Sequence, residues 1–268
     1  MKKKDGYSVH QKYGKIYMYY RMNPLFFLIV PILVSIILYK TAFKDGKPTC
    51  DHYVLNTYIY SVFYLGLMGF FISILLNHKD VYNKYVGLGS LIALVIAYIG
   101  LYFAVLFIPK EKVLLKHIVS IVYIFVASIF ISSIFFIFFP ESIMHSILMT
   151  FILFVILSGM AWKFQKLISS SISLPLLIVF LLLVVAEFVI GLLYPGTLIE
   201  KAIILIVLMV ICYLVLVKTK RMIENSASCE KEGGPDYVKE SMGFILSFQN
   251  LLLRILEIFG KRKRGIRM

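Results

Sequence analysis

Eight long apolar runs, separated by short polar connections, dominate this chain of 268 residues. An α-helix rises about 1.5 Å per residue, so about 20 apolar residues can cross the hydrocarbon core of a bilayer, which is roughly 30 Å thick. The runs lie at about 25–43, 55–77, 85–109, 113–139, 143–162, 172–194, 199–217 and 235–260. Their connections leave no room for a soluble domain, and the alternating pattern of a membrane β-barrel is absent. The sequence therefore predicts an all-α integral membrane protein of seven or eight helices.

The composition supports this fold class, because 60% of the residues are hydrophobic and 15% are aromatic. The formal net charge of +14 comes mainly from two basic tails, residues 1–23 and 261–268, and from short loops. Basic residues that flank membrane segments follow the positive-inside rule and attract anionic lipid. We therefore expect the lipid bilayer as a partner, with anionic lipid at the two tails, and we expect no nucleic acid.

The basic residues leave the orientation in the membrane open. If every run spans, one side contains the loops at 44–54, 110–116, 163–171 and 218–235. These loops contain most of the loop Lys and Arg residues, which favours the cytosol for them. Both basic tails would then lie on the other side, where the same rule disfavours them. Loop charge and tail charge therefore predict opposite orientations.

The last run, from Pro235 to Gly260, is the most polar of the eight. Asp236 is suited to cap the start of a helix, and Gly260 is suited to end one. Between them, six polar side chains interrupt the apolar pattern: Ser241, Ser247, Gln249, Asn250, Arg254 and Glu257. A helix facing lipid does not tolerate so many polar groups, because each needs a partner where water is absent. This run therefore predicts a helix that lies inside the bundle.

The same run resembles the closing helix of the Bax inhibitor family. It reads DYV and then FILSFQNLLLRILEIFG, which is similar to the family's D-Y-V followed by L-Y-L-D-I-I-N-L-F-L-R-I-L. Shorter matches occur in the family's order at Ile59-Tyr60, at Ser146–Thr150 (A-x-x-x-T) and at Tyr213–Lys220 (Y-I-V-Y-D-T-Q). The resemblance covers about residues 55–260 and implies a seven-helix bundle around a central closing helix. Residues 24–54 would then be an extra N-terminal hydrophobic segment and its loop.

The resemblance also implies a function. Family members modulate cell death and calcium leak from an internal store, so we expect an internal membrane, such as the endoplasmic reticulum, and cell-death regulatory proteins as partners. They contain two buried aspartates that share a proton and respond to pH, because two adjacent carboxylates do not both ionise cheaply. The matching positions here are Lys218 and Ser247. We therefore expect no acid pair, no cofactor, and Ca²⁺ or H⁺ only as a transported ion.

Other polar residues within the runs have both a functional and a structural interpretation. Glu187, an acid well inside an apolar run, would bind a cation or a proton, or pair with a basic group on another helix. Arg254 and Glu257 are three residues apart, so they would act as gate charges or form an ion pair on one helix face. Gln249 and Asn250 would line a pathway or form hydrogen bonds between helices.

Two further classes of function remain open at this point. One is a small-solute or proton-coupled transporter that uses Glu187, and the other is a non-conducting scaffold that acts through partners or lipid. Hydrolase motifs such as G-x-S-x-G and H-E-x-x-H do not occur, so we expect no enzymatic activity.

The three cysteines, Cys50, Cys212 and Cys229, show neither the spacing of a metal site nor that of a disulfide framework. We therefore expect no disulfide. Cys212 lies in an apolar run, where a cysteine is usually a core residue. Cys50 and Cys229 should lie on the same side of the membrane if every run spans.

Overall fold

The computed structural model describes residues 24–78, 88–169, 197–231 and 233–261, and also 175–190 with gaps at 177, 181, 184–185 and 188–189. The helices are α1 (Pro24–Thr41), α2 (Tyr53–Asn77), α3 (Leu88–Phe107), α4 (Val113–Phe135), α5 (Pro140–Lys163), α6 (Leu198–Ser228) and α7 (Tyr237–Phe259). A short 3-10 helix follows α5, and the described residues from 175 to 190 are also helical. The predicted basic tails fall outside the described residues, except for Lys261.

Five of these helices are long and apolar enough to cross a membrane: α2, α4, α5, α6 and α7. The helices α1 and α3 contain shorter apolar stretches, Phe27–Thr41 and Ile92–Phe107. The longest of the seven is α6, with 31 residues. The prediction of an all-α integral membrane protein is therefore confirmed.

The helix α7 lies at the centre of the bundle. Its buried share is 56%, compared with 17–44% for the other four long spans. It packs against α2, α5 and α6, and also contacts α3 and α4. Ile245, Leu251 and Leu256 are all fully buried, and Asp236 caps the helix by accepting a hydrogen bond from the Lys239 amide at 3.1 Å. The most polar of the predicted runs is therefore the most buried of the five long described spans, as its pattern predicts.

The helix α1 packs closely against α2 at two glycines. A Cβ atom at Gly66 would lie 3.0 Å from Pro31 Cδ, and one at Gly69 would lie 2.8 Å from Phe27 Cδ1. Both distances are shorter than ordinary carbon contacts, so small residues are needed for this approach. The N-terminal hydrophobic segment is thus a helix that is docked on the bundle.

A short hairpin, β1 (Phe43–Lys44) and β2 (Lys47–Pro48), connects α1 to α2. Asn56 in α2 is completely buried behind this hairpin. Its Nδ2 donates to the carbonyls of Thr41 at 3.0 Å and Asp51 at 2.9 Å, while its Oδ1 accepts from Thr41 Oγ1 at 2.7 Å. One amide therefore holds the end of α1 and the start of α2 together.

The start of α7 is tied to the same region by a tyrosine and a disulfide. The Tyr237 hydroxyl donates to the Thr49 carbonyl and accepts from Asn56 Nδ2 at 3.3 Å. Cys50 and Cys229 form a disulfide, with Cα atoms 5.9 Å apart. The expectation of no disulfide was wrong, because 179 residues separate these cysteines and only the folded order of the helices brings their loops together. Their expected position on one side of the bundle is confirmed.

The connections between helices lie at the two opposite ends of the bundle. Near the disulfide, Lys110 Nζ donates to the Gly234 carbonyl at 3.1 Å; we call this the disulfide end. At the other end, the Phe139 amide donates to the Lys261 carbonyl at 3.1 Å; we call this the tail end. The chain leaves α7 at the tail end, and α1 begins there because it runs toward the hairpin.

Candidate functional site

Lys218 in α6 and Ser247 in α7 face each other inside the bundle. Lys218 Nζ donates to Ser247 Oγ at 3.0 Å and to the Gly243 carbonyl at 2.8 Å. The Ser247 hydroxyl also donates to the Gly243 carbonyl, at 3.0 Å. Among the described residues, no carboxylate lies within 4.0 Å of Lys218 Nζ. The two positions that the resemblance matches to aspartates therefore hold one positive charge and no acid.

A cavity of about 570 Å³ extends from Lys218 toward the disulfide end. Among the described residues, its lining has four basic ones, Lys110, Lys218, Arg221 and Lys239, and two acidic ones, Asp236 and Glu240. Both acidic groups have partners: Asp236 is paired with Lys116 at 2.5 Å, and Glu240 accepts from Asn225 Nδ2 at 2.6 Å. The cavity is therefore basic, with Lys218 at its inner end.

The ion pair between Lys116 and Asp236 is a feature that sequence reasoning missed. Lys116 is only 1% exposed, and its Nζ also donates to the Ile108 carbonyl at 2.9 Å. By its sequence position Lys116 belongs to the loop bases of 110–116, since a lysine in the first turn of a helix usually extends into water. The only local signal was that Asp236 is an acid at a helix start, which the capping role already explained.

Glu187, Arg254 and Glu257 form one cluster between α7 and the helical residues near 187. Arg254 Nη1 donates to Glu187 Oε1 and to Glu257 Oε2, the latter at 2.8 Å. The structure thus favours the structural interpretation of Glu187, as partner of a basic group on another helix. Within the described part of the chain, Glu187 Oε2 has no hydrogen-bond partner. Asn250 is half-buried and takes no part in this cluster among the described contacts.

Gln249 joins α7 to three other helices. Its Oε1 accepts from the Tyr98 hydroxyl at 2.8 Å and from the Tyr123 hydroxyl at 3.4 Å, while its Nε2 contacts Met68 Sδ at 3.2 Å. Such bonds between membrane helices are worth about 0.6–2 kcal/mol each. For Gln249, the structure therefore favours hydrogen bonding between helices over the lining of a pathway.

A comparison with known protein families shows to which family the chain belongs. The family described as inhibitor of apoptosis-promoting Bax1 matches residues 50–264, which is most of the chain. The chain belongs to the Bax inhibitor family. No curated protein and no solved structure matches it. In this Bax inhibitor family member, the site between α6 and α7 is built from Lys218 and Ser247, so family membership alone does not define its chemistry.

Proposed function

We propose that this Bax inhibitor family member acts in an internal membrane, such as the endoplasmic reticulum, where it modulates cell death, calcium leak from the store, or both. Its family membership supports the setting. The observation that carries the mechanism is the 3.0 Å hydrogen bond from Lys218 Nζ to Ser247 Oγ. Because this pair contains no carboxylate, any calcium conduction proceeds without the acid pair through which the family responds to pH.

The charge of Lys218 opposes the passage of cations through this site. Two unit positive charges 4 Å apart repel each other by about 4 kcal/mol at an effective dielectric constant of about 20, and a divalent cation doubles that energy. The oxygens that accept from Lys218, on Gly243 and Ser247, are neutral, and no carboxylate of the described residues lies within 4.0 Å of its Nζ to form an ion pair. We therefore expect a low calcium leak that changes little between acidic and neutral pH.

The disulfide supports an orientation with both tails in the cytosol. Disulfides persist in oxidising compartments and are rare in the cytosol, so the end that contains Cys50–Cys229 would face the lumen. The tail end, where α1 begins and α7 ends, would then face the cytosolic leaflet, whose anionic lipid attracts basic segments such as 1–23 and 261–268. This is the opposite of the orientation that the loop charges favour.

The orientation is tested with an epitope tag on each terminus of the full chain. Both tags should bind antibody after selective permeabilisation of the plasma membrane, while the internal membranes stay sealed. A tag that becomes accessible only after the internal membranes are opened would contradict the proposed orientation.

The calcium proposal is tested with the purified chain in liposomes that contain a calcium dye. We expect the wild-type leak to be low and similar at acidic and neutral pH. The double variant Lys218→Asp/Ser247→Asp restores two acids, so its leak should rise and become pH-dependent. Lys201→Asp makes the same Lys-to-Asp replacement as the one at 218, but at an exposed position at the start of α6, and should behave like the wild type.

Two outcomes would contradict this mechanism. A steep acid-to-neutral switch in the wild-type leak would show that groups other than an acid pair at 218 and 247 respond to pH. No leak from either the wild type or the double variant would favour the alternative of a scaffold that acts through partners or lipid. Survival of cells that express each variant, measured after a death stimulus, separates that scaffold role from an inactive preparation.

A further inference from the structure

We propose that the basic cavity at the disulfide end binds a phosphate-bearing anion, with Lys218 at the inner end of the site and Arg221 and Lys239 nearer its mouth. This inference goes beyond the proposed function and does not depend on calcium conduction. It rests on a buried charge that has no direct ion pair among the described residues, on the volume next to that charge, and on the set of donors that surround the volume.

The first argument is that Lys218 has no direct ion pair among the described residues, although Glu240 lines the same cavity. Taking an ammonium group out of water costs several kcal/mol unless an opposite charge and hydrogen bonds compensate it. The recorded acceptors of Lys218 Nζ are a backbone carbonyl and a hydroxyl, both neutral. An ammonium group has three protons to donate, so one remains for a further acceptor. An anion in the adjacent cavity would supply both the acceptor and the charge.

The second argument is the balance of charge around the cavity. Its lining has four basic and two acidic residues. Asp236 is neutralised by Lys116 at 2.5 Å, so among the described lining residues Glu240 is the acid that remains to offset four bases. A cation placed here would meet a net positive field, whereas an anion would be attracted.

The third argument concerns size and donor type. The volume of about 570 Å³ lies within the range of about 300–1,000 Å³ that is usual for small-molecule sites. The planar guanidinium of Arg221 can bind two oxygens of one phosphate, and the lysines act as point charges toward it. Exposed bases alone would simply be solvated. The buried Lys218 therefore distinguishes this cavity from an ordinary basic surface.

Binding is measured with the full-length chain in neutral detergent, by thermal unfolding in the presence of inorganic phosphate or pyrophosphate at constant ionic strength. A ligand that binds only the folded state stabilises it by RT ln(1 + L/Kd), where L is the free ligand concentration, so Tm rises with the ligand concentration once that exceeds Kd. We expect such a concentration-dependent rise for the wild type and none for Lys218→Met. The control Lys201→Met removes one positive charge from the same helix at the tail end and should retain the full rise.

A second arm distinguishes a soluble anion from a lipid headgroup. The same proteins are placed in phosphatidylcholine bicelles with and without phosphatidic acid. Stabilisation by pyrophosphate in detergent assigns the site to a soluble phosphate. Stabilisation by phosphatidic acid alone assigns it to a headgroup. In either case the effect must require Lys218.

The proposal is overturned if neither phosphate nor phosphatidic acid raises the Tm of the wild type, or if Lys218→Met responds as the wild type does. Should Lys218→Met not fold, Arg221→Gln decides the question, because Arg221 is exposed at the mouth of the cavity and its replacement does not disturb the core. We expect Arg221→Gln to weaken anion binding severalfold, and unchanged binding would contradict the proposal.

Discussion

Lys116 Nζ lies 2.5 Å from Asp236 Oδ2 and so joins the first turn of α4 to the residue that caps α7. The other carboxylate oxygen of Asp236 accepts from the Lys239 amide at 3.1 Å. One side chain thus caps the start of a helix and neutralises a buried ammonium group at the same time. Because of this double role, we expect replacement of Asp236 to destabilise the protein more than replacement of any other residue at the disulfide end.

Asp236→Asn should destabilise the protein strongly, because it leaves Lys116 buried without a counter-charge. Breaking a buried ion pair in this way costs about 3–5 kcal/mol, which thermal unfolding in detergent will detect. The double variant Lys116→Met/Asp236→Asn should recover much of the loss, since no buried charge remains. Glu111→Gln, in the exposed loop before α4, is the control. Equal losses in the single and the double variant would contradict this account.

Gly69→Ala should loosen α1 from the bundle. The added Cβ would meet Phe27 Cδ1 at 2.8 Å, so the ring or the whole helix must shift, at a cost of about 1–3 kcal/mol. Gly100→Ala in α3 is the matched control, because a Cβ there meets nothing within 4 Å. We expect a lower Tm for the first variant only. A Tm that falls equally for both would show that helix packing at Gly69 is not the cause.

Cys229→Ser should lower the free energy of unfolding, because the disulfide closes a loop of 179 residues. The chain-entropy model gives about 5 kcal/mol for a loop longer than 100 residues. Cys212→Ser is the control, since Cys212 is a free thiol. In the denatured wild type, a thiol reagent should label one cysteine before reduction and three after it. Three labelled cysteines before reduction would exclude the disulfide.

Arg254→Gln should destabilise the protein more than Glu257→Gln does. Arg254 separates two carboxylates, those of Glu187 and Glu257, and without it the two acids would repel each other in a partly buried site. Removing Glu257 still leaves one ion pair intact. Thermal unfolding of both variants checks this order, and the reverse order would contradict it.

Glu187→Gln distinguishes a structural role of the cluster of Glu187, Arg254 and Glu257 from a role of Glu187 in transport. With Glu187 as a structural partner, the variant should lose stability while any ion leak from liposomes keeps its rate per folded molecule. Loss of uptake with an unchanged Tm would instead support a transporter that uses this carboxylate.

The central position of α7 could be predicted because its signals are local. Asp236 and Gly260 mark its two ends, and polar side chains such as Gln249 exclude a helix that faces lipid. That Lys218 and Ser247 face each other could also be predicted, since the resemblance to the family aligns both residues with its two facing aspartates on α6 and α7. In both cases the pattern within one segment, or its match to a known segment, contains the needed information.

The contacts at the disulfide end could not be predicted in the same way. In the sequence, Asn56 is an ordinary polar residue near a helix start. Nothing in the neighbouring sequence indicates that Tyr237 lies within hydrogen-bonding distance of it. The same holds for Cys50 and Cys229, which are distant in sequence. These partners meet only because α2 and α7 start at the same end of the bundle, and that depends on the folded order of all the helices.

The length of α6 determines how an anion would reach Lys218. A helix of 31 residues extends about 46 Å at roughly 1.5 Å per residue, whereas the hydrocarbon layer is about 30 Å thick. The last turns of α6, from about Arg221 to Ser228, therefore project past the lipid tails at the disulfide end. A charged solute could enter from the aqueous phase along this projecting wall, without crossing any part of the bilayer interior.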